Sequence, residues 1–183
     1  MLQPEKNSRM VQVIPKILNP QICESLILSF EQSDQKEKID HDAKPRFTQV
    51  NFGQNPYLVQ RSKAAIDIYR ELLGPRSWYL PPVKYMEEFR IKKYDPETKD
   101  RFDEHVDVAD HKSAKRYLAF FTYLNDVENG GETLFSGYNG DMNYIKPKSG
   151  RMVIFPPLWM FPHSGQRPIS GNKYIISGYF HYL

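Results

Sequence analysis

The sequence predicts an α+β fold with an antiparallel β core. Two amphipathic helical stretches fall in roughly the first eighty residues, and from Val83 onward the chain breaks into short β-prone segments separated by turn residues. No internal repeat or linker divides it, so residues 1–183 are expected to form one domain, with N-terminal helical support over about 1–80 and a β core over about 81–183.

Each element has a local reason. Val11-Gln12-Val13-Ile14 reads as a short strand. Asn19-Pro20 supplies a cap followed by proline at the first helical position, opening a helix through Gln32 with an apolar stripe of Ile22, Leu26, Ile27 and Phe30. The polar segment Ser33 to Lys44 has no periodicity and reads as an exposed loop. A second helix is expected from Pro56 to Leu73, stopped by Gly74-Pro75. The strand candidates are Lys84 to Tyr94, Lys115 to Leu124, Thr133 to Phe135, Asp141 to Ile145, Arg151 to Phe155 and Lys173 to Tyr182.

Composition narrows the function classes. A chain that is 40% hydrophobic and 14% aromatic can bury a substantial core, which excludes disorder. The net charge of +3 is small, and basic residues alternate with acidic ones, so no nucleic-acid partner is expected. With Cys23 as the single cysteine, no intrachain disulfide can form, which points to a reducing compartment. The first nine residues lack the apolar core of a signal peptide, and no run approaches a membrane span. The expected location is therefore cytoplasmic, with no membrane partner.

The chemistry-bearing residues are His105 and Asp107, two apart, a later His163, and Lys173 ten residues beyond it. On an extended segment residues i and i+2 project to one side, so His105 and Asp107 can reach one metal while Val106 points away. The run Val153-Ile154-Phe155-Pro156-Pro157 reads as a buried strand leading into a turn, which suits His163 as a third ligand. After it, Lys173, Ile175, Ser177, Tyr179 and His181 share one strand face, where a cation is expensive unless an anion meets it. Two imidazoles and a carboxylate on one face of Fe(II) leave positions open for a bidentate ligand and dioxygen. A structural zinc site normally closes with four protein ligands, and this chain offers three with no suitable cysteine, so a non-catalytic binding module is the weaker reading. His41 and His111 sit in polar stretches and read as solvated, His181 reads as a hydrogen-bonded core histidine, and Trp159 as core or pocket rim.

The ordered pieces Tyr94, His105-Val106-Asp107, Tyr123-Leu124-Asn125-Asp126, Gly130-Gly131-Glu132-Thr133-Leu134-Phe135, Pro147 to Phe155, and His163 with Gly171 and Lys173 behind it resemble the catalytic domain of the prolyl 4-hydroxylases. These belong to the 2-oxoglutarate and Fe(II)-dependent dioxygenases. The resemblance implies a double-stranded β-helix, a jelly-roll relative, with the helices outside one sheet. It implies His105, Asp107 and His163 as iron ligands and catalytic residues, with Lys173 pairing with the distal carboxylate of 2-oxoglutarate. Tyr123, Thr133 and Tyr94 would supply cosubstrate hydroxyls, because one ammonium cannot complete the hydrogen bonding of a buried carboxylate. Tyr179, in the place of a family tryptophan, would form pocket wall. The cofactors implied are Fe(II), 2-oxoglutarate and dioxygen, with ascorbate a further candidate, and the substrate implied is a proline-containing protein or peptide.

Two departures bear on substrate. The position three before the first ligand, usually Tyr, is Phe102, and the segment Asp95 to Arg101 is longer than usual and lacks the customary Gly. The alternative is the same oxygenase chemistry on a lysyl residue, a free amino acid or another small molecule. An AlkB-like nucleic-acid oxygenase is disfavoured by Lys173 at plus ten and by the weak basicity. The substrate groove is expected between the loop Ser33 to Gln54 and the segment Val108 to Ala114.

Overall fold

Two Asn-Pro dipeptides start the helices. Asn19 accepts the Ile22 N–H at 2.9 Å and Asn55 accepts the Leu58 N–H at 3.2 Å, each satisfying one orphan donor ahead of α1 (Pro20–Gln32) and α2 (Pro56–Leu73). Gly74, at φ 61°, ends α2 by donating its N–H to the Arg70 and Glu71 carbonyls. Both helices occupy the spans expected from sequence. The buried stripe of α1 is Cys23, Leu26 and Phe30, with Ile22 and Ile27 flanking it half-buried.

This computed structural model describes residues 10–41, 45–136 and 142–182. The first nine residues and Asp141, at the start of one strand candidate, lie outside them. The strands are β1 (Gln12–Ile14), β2 (Glu37–Asp40), β3 (Arg46–Gly53), β4 (Tyr85–Met86), β5 (Phe89–Tyr94), β6 (Phe102–His105), β7 (Arg116–Tyr123), β8 (Thr133–Ser136), β9 (Met142–Ile145), β10 (Met152–Phe155), β11 (His163–Gly165) and β12 (Lys173–His181). They form a large sheet ordered β1-β10-β7-β12-β5-β3-β2, with β4 also on β12, and a small sheet ordered β6-β11-β8-β9. Every pairing is antiparallel.

Strand alternation builds two cores from the large sheet. On β7, Leu118 and Phe120 pack with the helices, while Ala119, Phe121 and Tyr123 face the other way with Phe135 and Ile145 of the small sheet. On β12, Tyr174, Ile176 and Phe180 join the helical side, and Ile175 and Tyr179 the inter-sheet side. Because both faces are covered, these strands read as nearly continuous apolar runs. The inter-sheet layer is where a cleft can open without exposing the helical core.

The segment read as a loop is a hairpin. β2 pairs with β3 from Glu37↔Gln49 to Asp40↔Arg46, and β3 pairs in turn with β5. The expectation of an exposed loop over Ser33 to Lys44 is corrected accordingly; residues 42–44 lie outside the described residues. β2 is an edge strand with three of its four residues exposed, so it carries no apolar alternation from which it could be read. The candidate Lys84 to Tyr94 is likewise split at Glu87-Glu88, and the short β6 and β11, which carry polar site residues, were not anticipated.

Gly150 ties the β10 entry to the N-terminal strand. At φ 76° it accepts the Ile17 N–H at 2.8 Å, and a Cβ there would sit 2.1 Å from the Leu18 carbonyl oxygen, so only glycine fits. Among the described residues no helix is long and apolar enough to cross a membrane.

Candidate functional site

The small sheet makes cross-strand neighbours of the two histidines. β11 pairs with β6 in the register His163↔His105, and their ring centroids lie 4.3 Å apart. Phe102 stacks on His105 at 3.5 Å and 9°, while Phe135 and Phe155 flank His163 at 5.4 and 4.8 Å. Asp107 sits in the bend just after β6 rather than on the strand itself. Its Oδ1 is 3.7 Å from His105 Nε2 and its Oδ2 3.5 Å from His163 Nε2, and one ligand atom from each residue lies within 4.8 Å of the others.

Hydrogen bonding fixes what those three groups present. His105 Nδ1 lies 2.8 Å from the Asp103 carbonyl and His163 Nδ1 lies 3.1 Å from the Phe161 carbonyl. A carbonyl only accepts, so each Nδ1 carries a proton and each Nε2 is the atom turned towards the carboxylate. Burial pushes the His163 pKa down to about 4, which keeps that ring neutral. Burial alone would raise the Asp107 pKa, but contact with His105 and the field of Lys92 are among the influences that outweigh it and hold the group ionised. Two imidazole Nε2 atoms and a carboxylate thus converge in a half-buried cleft.

Asp107 is itself held. Tyr179 donates its hydroxyl to Oδ1 at 2.9 Å, and Arg116 Nη1 donates to the Asp107 carbonyl at 3.1 Å. The guanidinium lies 3.9 Å over the Tyr179 ring and is anchored by Glu87 at 2.7 and 3.1 Å, which also meets His181 at 2.7 Å. Tyr179 therefore lines the cleft as expected and also orients a carboxylate; His181 is hydrogen-bonded as expected. Glu87 and Arg116 carried no pattern from which this role could be read. Tyr179→Phe should keep the fold and weaken divalent-metal binding about 10- to 100-fold, the usual cost of losing an outer partner of a ligand, as measured by Mn(II) titration.

At the other end of the cleft Lys173 is 1% exposed. Its Nζ donates to the Gly131 carbonyl at 3.2 Å and the Gln166 carbonyl at 3.4 Å, and sits 4.1 Å over the ring of Tyr94, its cross-strand partner. Among the described residues no carboxylate lies within 4 Å of it. Burial lowers its pKa to about 7. Tyr94 and Thr133 line the same cleft. Tyr123 does not: its hydroxyl lies 2.7 Å from Thr133 Oγ1 and 3.0 Å from the Ile145 carbonyl, so it reaches the cleft through Thr133.

The charged lining residue Lys92 was missed, as were apolar ones such as Phe121. Lys92, opposite Ile175 and two residues before Tyr94 on β5, shares the cleft. The i, i+2 spacing to Tyr94 was the available signal. By contrast His41 and His111 are exposed as expected, and Trp159, at 66% exposure, is not core. The long segment after Tyr94 is organised by buried Asp100, which binds Lys38 at 2.7 Å and accepts from Thr98 and the Asp95 N–H. Lys99 takes the left-handed conformation, φ 57°, that a glycine would adopt more easily.

Residues 89–181, half of the chain, match the 2OG-Fe(II) oxygenase superfamily. A probable prolyl 4-hydroxylase 9 of Arabidopsis thaliana is 33% identical over 136 residues, covering 65% of this chain; the chain spans about half the length of that relative, 46% of it. A Pseudomonas putida prolyl-4-hydroxylase structure is similar at TM-score 0.72 and 18% identity, covering 95% of this chain and 93% of that one. A prolyl hydroxylase from Trichoplax adhaerens, solved in complex with a hypoxia inducible factor oxygen degradation domain peptide fragment, is similar at TM-score 0.76 and 14% identity, covering 95% and 84%. With the two antiparallel sheets, these likenesses identify the fold as a double-stranded β-helix.

Proposed function

The chain belongs to the 2OG-Fe(II) oxygenase superfamily, and on that premise we propose that it hydroxylates a prolyl residue of a protein or peptide, using Fe(II), 2-oxoglutarate and dioxygen. The observation that carries the reading is the convergence of two imidazole nitrogens and one carboxylate beside a buried ammonium that has no carboxylate partner among the described residues. The donor set fits Fe(II), and the ammonium fits the far carboxylate of a dianion. When bound, iron and 2-oxoglutarate supply the oxidation, in which one atom of dioxygen enters the C–H bond and the other enters succinate as carbon dioxide leaves.

The residues of this chain do the rest. His105, Asp107 and His163 would hold the metal, oriented by the Asp103 and Phe161 carbonyls and by Tyr179. Lys173 would bind the distal carboxylate, with Tyr94 and Thr133 donating hydroxyls and Tyr123 holding Thr133 in place. Phe102, Phe121 and Phe155 line the cleft and exclude water from it. No side chain need move a proton from the substrate carbon, so none is assigned as acid or base.

Residues 1–183 act as one domain in this reading, since β1, β2 and β3 of the N-terminal part pair into the sheet that carries Lys173. A cytoplasmic location is supported by the single cysteine, which is buried.

Lys173 gives this reading a pH signature. An anion binds the protonated form, whose free pKa is about 7, so binding is complete below that value and weakens as pH rises through it. The 2-oxoglutarate dissociation constant should increase up to about tenfold per pH unit above 7 until the bound pKa is reached. Calorimetry in buffers of different ionisation enthalpy should register proton uptake over that range; pH-independent binding would remove Lys173 from the role.

The deciding experiment incubates the protein with Fe(II), 2-oxoglutarate, ascorbate and pools of proline peptides. Mass spectrometry is expected to find one added oxygen on proline with matching succinate. Succinate matched by oxygen on another residue or molecule would shift the reading to the alternative substrates, a course that Phe102 favours because it has no hydroxyl. No succinate would end the oxygenase reading.

A further inference from the structure

Three cations project from β5, and two have carboxylate partners. Arg90 meets Glu87 at 3.4 Å and Lys93 meets Glu31 at 2.9 Å. Lys92, between them and on the same strand face as Arg90, has no carboxylate within 4 Å among the described residues. Its Nζ lies 4.9 Å from the Phe47 ring and 5.8 Å from the Phe102 ring, which cover the side chain without supplying an anion. It lines the cleft that holds His105, Asp107 and Lys173, opposite Ile175, whereas Tyr94 stands opposite Lys173. Two residues of strand, about 6.6 Å, therefore separate the backbone positions of Lys92 and Tyr94.

Charge counting says what Lys92 is for. In the reading above, the two positive charges of the metal and the one of Lys173 are cancelled by Asp107 and the two carboxylates of 2-oxoglutarate. Arg116 and His181 share Glu87. Counted over the residues that line the cleft, the loaded site is neutral without Lys92, on which only the field of the metal-site Asp107 acts, and an additional ammonium there is costly unless another anion arrives. Metal and cosubstrate are already counted, which leaves the substrate.

We propose that Lys92 is a substrate-binding residue that pairs with a carboxylate carried by the substrate, either on the residue that is oxidised or on its immediate neighbour. The proposal rests on the oxygenase reading and adds a substrate class to it: a C-terminal or free acid, or a residue beside Asp or Glu. Burial lowers the Lys92 pKa to about 8, as expected of an ammonium awaiting its counterion.

The test uses the full chain loaded with Mn(II), which does not turn over, and 2-oxoglutarate. The probes are N-acetyl amino acids and tripeptides as free acids and as amides, and amidated tripeptides with Asp or Asn beside the central residue. Ultrafiltration with mass spectrometry reads the fraction retained, and 2-oxoglutarate affinity is measured in parallel. Wild-type protein should retain acidic probes at least about tenfold over their neutral partners; Lys92→Met should bring the ratio to about one, and Lys92→Arg should preserve it. The 2-oxoglutarate affinity of Lys92→Met should stay within about twofold of wild type. Equal retention of acids and amides by wild type, retention of neither, or an undiminished preference in Lys92→Met overturns the proposal. A loss confined to 2-oxoglutarate affinity also overturns it and assigns Lys92 to the cosubstrate. Failure of wild-type protein to bind 2-oxoglutarate would be a separate failure, of the oxygenase reading beneath it.

Discussion

Replacing His163 with Ala is expected to abolish iron-dependent succinate formation. The side chain is the cross-strand partner of His105 and the group that faces Asp107 Oδ2 at 3.5 Å, so its loss leaves two ligands on one loop and strand end. Outer partners of a metal ligand are worth 10- to 100-fold in affinity, and loss of the ligand itself should exceed about 100-fold. Mn(II) titration reads this directly. The ring also packs between Phe135 and Phe155, so the alanine variant leaves a cavity that lowers stability. His163→Gln, which fills most of the volume, separates the two effects: it should melt near wild type and still fail to turn over. Full turnover in either variant would remove His163 from the metal site.

Lys173→Ala should raise the 2-oxoglutarate requirement strongly while leaving metal binding in the absence of cosubstrate unchanged. Truncating one partner of a buried charge pair costs about 2–5 kcal/mol, or roughly 30- to 4,000-fold in dissociation constant. A second consequence has the opposite sign. Without cosubstrate the ammonium is buried with only two carbonyls and an aromatic face for partners, so Lys173→Met should raise the melting temperature of the cosubstrate-free protein as it destroys binding. The pH dependence agrees in sign. The folded pKa of about 7 lies below the ordinary lysine value, so the unfolded chain binds more protons between the two, and wild-type stability gains from this residue as pH rises across that interval. The Met variant should lack that gain in thermal melts from pH 7 to 10. A Lys173 variant with unchanged cosubstrate affinity and unchanged stability would place the side chain outside the pocket.

The approximate spans of the two helices were legible because their signals are local. Asn19-Pro20 and Asn55-Pro56 satisfy orphan N–H groups whatever the rest of the chain does, and Gly74 ends α2 by the same local geometry. The face shared by Lys173, Ile175 and Tyr179 was legible because strand alternation has a fixed period, whereas the expected strand alternation of His105 and Asp107 does not hold, since Asp107 lies in the bend after β6. The β2–β3 hairpin was not, since an exposed edge strand such as Glu37–Asp40 needs no apolar pattern and is held by backbone pairing to β3. β6 and β11 are short and polar, and they are strands through pairing with each other and, for β11, with β8.

The sequence by itself determined which groups could do chemistry: three ligand-type side chains, one inward-facing lysine and the hydroxyls near it. Only the tertiary structure decided how they meet. The β6–β11 register makes partners of His105 and His163, and the β5–β12 register sets Lys173 on Tyr94 and brings Lys92 into the same cleft. Tyr179 touches Asp107, and Tyr123 acts through Thr133, because strands distant in sequence are neighbours in the sheets. Such contacts come from hydrogen-bond register between separate segments, which no local periodicity encodes.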